Sequence, residues 1–156
     1  MSEPEFWELD PKERVIVNEV EDDELLWRQI CDHSWDAQYG LPNLDSFGPQ
    51  KVDQRRPSFS RSSVVTAQES RDWQSEWAKS KSRGVWACSI QEVADAGTRA
   101  IDDSETALEP GKQRAPGHAY VDYRHMGKAG LKAVKARLLK AALARKEIPT
   151  DDNFED

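Results

Sequence analysis

Behind Pro116 and Gly117 the chain opens an alternating run, His118-Ala-Tyr-Val-Asp-Tyr123. Side chains two apart on a strand share a face, so this spacing sets the His118 imidazole beside the Tyr120 phenol and the Asp122 carboxyl. Such a trio can move protons or bind a polar ligand. A histidine at a loop–strand junction also serves simply to satisfy a backbone carbonyl, the commoner role where no nucleophile or metal partner is visible. His118 and Asp122 are the candidate catalytic groups, together with Arg28 from the run Leu26-Trp-Arg-Gln-Ile30.

A second constellation lies in Asp53-Gln-Arg-Arg-Pro-Ser-Phe-Ser-Arg-Ser-Ser63, where Arg55, Arg56 and Arg61 stand beside Ser58, Ser60, Ser62 and Ser63. Guanidinium forks and hydroxyls suit an oxyanion, which makes Arg61 and Ser63 candidate ligand-binding residues. The plainer alternative is a solvated loop whose arginines pair with the acidic N-terminal arm. No glycine-rich phosphate loop precedes a helix, which excludes a P-loop nucleotide site.

Cys31, His33 and Asp36 lie close together, but a structural zinc needs four ligands, usually as two close pairs. The remaining histidines are His118 and His125, and Cys88 sits in an apolar run, so no metal and no cofactor are expected. A Cys31–His118 nucleophile pair stays open, although nothing marks Cys31 as activated. Trp35, Tyr39, Phe47 and Phe59 punctuate the Gly/Pro-rich stretch from 32 to 61 and are the candidate residues for contact with a protein partner.

Several elements must hold these groups. Val15–Val17 reads as a short strand, and 25–30 reads equally well as a strand or a helix. Thr66 and Glu69 have capping-box spacing ahead of a helix to about Lys79, with Ala67, Ser70, Trp73 and Trp77 on one side. Val85–Ser89 reads as a strand. Ser89 and Glu92 repeat the capping spacing before a short helix that stops at Gly97. Thr98–Ile101 and His118–Tyr123 are further strands, separated by a polar loop. Lys128–Lys146 is the longest helix, striped by Leu131, Val134, Leu138 and Ala142. Short elements in mixed order predict a single α+β domain over 14–147, with a small mixed sheet and a long C-terminal helix. Acidic flexible ends are expected at 1–13 and 148–156.

The chain has 156 residues and a net charge of −7, unevenly spread. Met1–Leu26 holds ten acids against two bases, whereas Lys128–Lys146 holds seven bases and no acid. A duplex-binding surface would work against that acidic remainder, so nucleic acid is not the expected partner. The start, MSEPEFWELD, has no basic or apolar signal region, and no apolar run is long enough to span a bilayer. Two cysteines imply no disulfide framework. A soluble cytoplasmic protein is expected.

The order RQI, SFGP, SFSRSS, GVWACSI and PGHAYVDY resembles a group of small bacterial proteins with no assigned activity. The resemblance spans roughly 25–147 and implies a bacterial, cytosolic, single-domain protein, with no catalytic residues carried over. Arg28 with Ser62 and Ser63 also resembles fragments of ADP-ribosyltransferase-like domains, but the paired-acid motif that completes their pattern is missing. The favoured function is a binding or accessory protein that recognises a protein partner. The alternative is a small enzyme or ligand sensor, nucleotide- or NAD-related, with a pocket around Arg28, Arg61, Ser63 and His118.

Overall fold

In the computed structural model, residues 6–17, 23–78 and 80–152 are described. Among these residues, eight strands and three α-helices follow the order β1 (Arg14–Val15), β2 (Leu25–Cys31), β3 (Trp35–Asp36), β4 (Leu41–Pro42), β5 (Ser58–Arg61), α1 (Ala67–Trp73), β6 (Ser82–Ser89), α2 (Ile90–Asp95), β7 (Ala100–Asp102), β8 (His118–Val121) and α3 (Lys128–Arg145). Six strands form one sheet in the order β1-β7-β8-β5-β2-β6, and β3 pairs with β4 in a separate hairpin. The fold is α+β, as the element pattern predicts.

The sheet, expected as mixed, is antiparallel at every pairing. A parallel pair requires a crossover connection, usually a helix, and here α1 links β5 to β6, which are not neighbours. The ambiguous segment at 25–30 is a strand. Its period is two, with Leu26, Arg28 and Ile30 buried and Trp27 and Gln29 only partly so.

Register divides the sheet into two unlike faces. Leu26 lies opposite Cys88 and Arg28 opposite Trp86, while Phe59 lies opposite Ala119. This face packs against Val134, Leu138, Leu139 and Ala142 of α3 and against Ile90 and Val93 of α2, forming the main core. The predicted stripe of α3 is therefore the buried one, with Leu131 at its margin. Both capping boxes form, Thr66 with Glu69 and Ser89 with Glu92. After Trp73 the α1 helix widens into a π-turn, Gln74–Ala78, and Trp77 is left half exposed.

The opposite face carries Trp27, Gln29, Ser58, Ser60, His118 and Tyr120. Only its β2–β6 side is roofed by α1, through bonds from Gln29 Nε2 to Ser70 Oγ and from Trp27 Nε1 to the Val65 carbonyl.

Residues of both acidic ends meet this body. The Glu13 carboxylate accepts from the Tyr120 hydroxyl at 2.8 Å, Arg56 pairs with Asp10 at 3.0 Å, and the Arg99 guanidinium stacks over Phe6. At the other end the Ile148 amide donates to the Val85 carbonyl and the Asp151 amide to Gln68 Oε1. Flexibility expected for 1–5 and 153–156 lies outside the described residues.

Candidate functional site

Past the edge of α1 the uncovered sheet face becomes the floor of a cleft of about 500 Å³. Ser58, Ser60 and His118 project from the floor, because Ser60 stands directly opposite His118 and Ser58 is two residues away. Trp73, Gln74 and Ala78 form one wall and Asp103, Leu108, Gln113, Arg114 and Ala115 the other. Arg114 fastens its own wall by donating to the carbonyls of Ser104 and Thr106. The cleft mixes the flat apolar surfaces of Trp27 and Trp73 with hydroxyl, imidazole and carboxylate groups, a lining suited to a small polar ligand.

His118 is fixed on both sides. Its Nδ1 lies 2.6 Å from Asp103 Oδ1, and its Nε2 lies 3.0 Å from Ser58 Oγ. A carboxylate only accepts, so the ring nitrogen facing Asp103 is the donor, and in the matching neutral tautomer Nε2 can accept from the Ser58 hydroxyl. The backbone just before it is special. Gly117 has φ +67°, and a Cβ there would come within 2.9 Å of Val64 Cβ. Glycine is therefore required to bring the chain into β8 at this angle, with its carbonyl accepting from the Arg61 amide.

Arg28 reaches the same cleft from the core side. The ladder between β2 and β5 holds only at Leu26–Arg61 and Trp27–Ser60, and Arg28 bridges the strands beyond it. Its Nε donates to the Ser46 carbonyl at 2.8 Å, Nη1 to Ser58 at 2.7 Å and Nη2 to Gly48 at 3.4 Å, with the Phe59 ring beneath. Burial pulls its pKa down, and the nearby Asp53 carboxylate partly counters this.

The remaining predicted residues do not join this site. Arg61 turns to the core face, where it pairs with Glu24 at 2.7 Å and Asp102 at 2.8 Å. Ser63 donates to the same Glu24 carboxylate. Burial alone would raise the Glu24 pKa, but hydrogen bonds from Arg61 and Ser63 outweigh it and hold the carboxyl below its usual value. These groups satisfy one another, so the pocket expected to join Arg61 and Ser63 to His118 does not form. Asp122 lies beyond the end of β8, fully buried between Arg99 and Arg124, and Tyr120 is committed to Glu13. The alternation that grouped His118 with Asp122 stops at Val121, because the next residues turn to bond other segments.

Cys31 lines the cleft but accepts from Gln74 Nε2 at 3.7 Å, with no contact to His118. No group of three or more His, Cys, Asp or Glu side chains is placed to hold a metal among the described residues. Of the four aromatics expected at a partner surface, Phe47 and Phe59 are core residues with tilted rings 6.0 Å apart, and Trp35 packs on Trp86. Only Tyr39 stands in solvent, at the tip of the β3–β4 hairpin. Apolar residues in a loop-rich stretch were needed to close the core below the short strands.

Ser58 and Asp103 are the functional candidates that sequence reasoning did not connect to His118. Ser58 was visible within the basic–serine run, but its pairing register was not. Asp103 stands fifteen residues before His118, and only the β7–β8 antiparallel pairing brings it back. No protein-family model, curated protein or solved structure matches the chain.

Proposed function

We propose that the chain is a binding protein that takes a small polar ligand in the cleft on the open face of its sheet. One observation carries the reading: a concave stretch of the sheet face with polar side chains, left open between α1 and the 103–116 segment. Covering that face with a helix would bury more apolar surface, so leaving Trp27 and Trp73 at the rim of a polar floor has a use in recognition. The buried free thiols Cys31 and Cys88 and the resemblance to small bacterial proteins support a reducing bacterial cytosol as its location. No helix among the described residues is long and apolar enough to cross a membrane.

Amide and indole NMR of the full chain against a library of small polar fragments tests the proposal. Shifts gathered at Trp27, Ser58, Ser60, Trp73 and His118 are expected. A library that moves none of them would remove the cleft as a binding site.

Recognition of a protein partner is the second reading, and the hairpin favours it. Tyr39 and Leu44 are 69% and 75% exposed, with Leu41 also exposed between them. Tyr39→Ala with Leu44→Ser should abolish capture of that partner while leaving the fragment shifts in the cleft intact. Equal capture by the variant would leave the hairpin without a role.

A further inference from the structure

Resting on the cleft as a binding site, we propose that Ser58, His118 and Asp103 form a nucleophilic relay that cleaves a carboxylic ester bound there. The three side chains stand in the order hydroxyl, imidazole, carboxylate, with contacts of 3.0 Å and 2.6 Å. In the tautomer that carries its proton on Nδ1, each contact has the sense the chemistry needs. Asp103 accepts from Nδ1–H, which fixes the tautomer and supports the imidazolium that forms, and Nε2 is left to receive the Ser58 proton.

Solvent exposure supports the assignment. Ser58 is exposed at the cleft floor, while His118 and Asp103 are each partly shielded. A purely structural Asp–His–Ser chain has no need to leave its hydroxyl end open to an incoming group. Arg28, which donates to the Ser58 carbonyl and lines the same cleft, adds a positive charge to its lining.

In the reaction, Ser58 Oγ bonds to the carbonyl carbon as its proton passes to His118 Nε2. The tetrahedral species collapses, the C–O bond to the leaving group breaks, and the departing oxygen takes the proton from Nε2 to leave as an alcohol. Water then adds to the acyl-serine carbon, again giving a proton to Nε2. Release of the carboxylic acid returns that proton to Ser58. Bonds, charge and protons balance with water as the sole co-reactant.

A fluorophosphonate probe, which bonds covalently to activated serines, tests this on the full chain, alongside turnover of p-nitrophenyl acetate. Labelling should map to the peptide containing Ser58. It should vanish in Ser58→Ala and slow at least tenfold in both His118→Ala and Asp103→Asn, with Ser63→Ala labelled as the parent chain is. Circular dichroism and the fragment-induced NMR shifts are followed on the same variants. If the cleft binds fragments but Ser58 resists the probe, the relay is overturned while the binding reading stands. If neither binding nor labelling occurs, both are overturned. Labelling unchanged in folded His118→Ala and Asp103→Asn would also overturn the relay, since Ser58 would then react without it.

Discussion

Arg28 shows how a residue that looks catalytic in sequence can be structural and still shape a site. It donates to the carbonyls of Ser46, Gly48 and Ser58, and it makes no ion pair among the described residues. Arg28→Met keeps the stem but strands three carbonyls in a buried place, so a loss of about 3 kcal/mol is expected, read as a lower urea midpoint. An unchanged midpoint would show that water reaches and repairs those carbonyls. Asp122 is the converse case, a fully buried carboxylate held by two guanidiniums. Burial alone would raise its pKa, yet the bonds and charge of Arg124, with Arg99, hold it below the usual value. Its folded pKa thus lies beneath the unfolded value of about 3.9, so its stabilisation is complete above that pH and fades as pH falls through the folded value. Asp122→Asn should lower stability at neutral pH and flatten the acid limb of the unfolding curve below about pH 4. An acid limb as steep as that of the parent chain would assign it to other carboxylates.

At the scale of elements, α3 is the largest single cover of the core face. Its residues Val134, Leu138, Leu139 and Ala142 are buried, and Leu138 has no exposed surface. Leu138→Ala should cost about 2–4 kcal/mol through lost burial and the cavity left behind, measured by chemical denaturation. A loss well under 1 kcal/mol would mean that the helix can settle into the gap. The cleft depends on the opposite economy of cover. The α1 helix is short and ends in a π-turn, which leaves Ser58 of β5 exposed and His118 of β8 partly exposed at the cleft. A regular continuation of α1 would bring a different set of side chains to the wall that Trp73 and Gln74 now form.

Across the whole molecule, residues 6–15 and 148–152 are fastened at opposite edges of the sheet. The N-terminal segment pairs with β7 through β1 and seals Tyr120 with Glu13, while residues 148–152 lie along β6 and α1. Thr150 and Asp152 both meet Arg71, which also donates to the Ser82 carbonyl. Hydrogen exchange on the full chain should therefore find the amides of Ile148 and Asp151 protected relative to an unstructured peptide. Free exchange at both would mean that the segment is loose in solution.

Local signals of fixed spacing wrote much of this fold into the sequence. Capping boxes placed the starts of α1 and α2, an apolar run marked β6, alternation marked β8, and the apolar stripe marked the buried side of α3, because each depends on neighbours a few residues away. The strand at 25–31 stayed ambiguous for the same reason: Leu-Leu-Trp-Arg-Gln-Ile suits either period until a sheet lies on both sides. His118 was singled out as a group worth placing, but the side chains it meets are not the ones alternation suggested. Alternation along one strand pointed to Asp122, whereas register across β5, β8 and β7 supplied Ser58 and Asp103. Arg61 and Ser63, chosen for their chemistry, were claimed by Glu24, a residue thirty-seven positions away from Arg61. Local periodicity is set by backbone geometry and can be read from one segment. The company a side chain keeps is set by strand register and by which charges meet in the folded chain, and only the tertiary structure decides that.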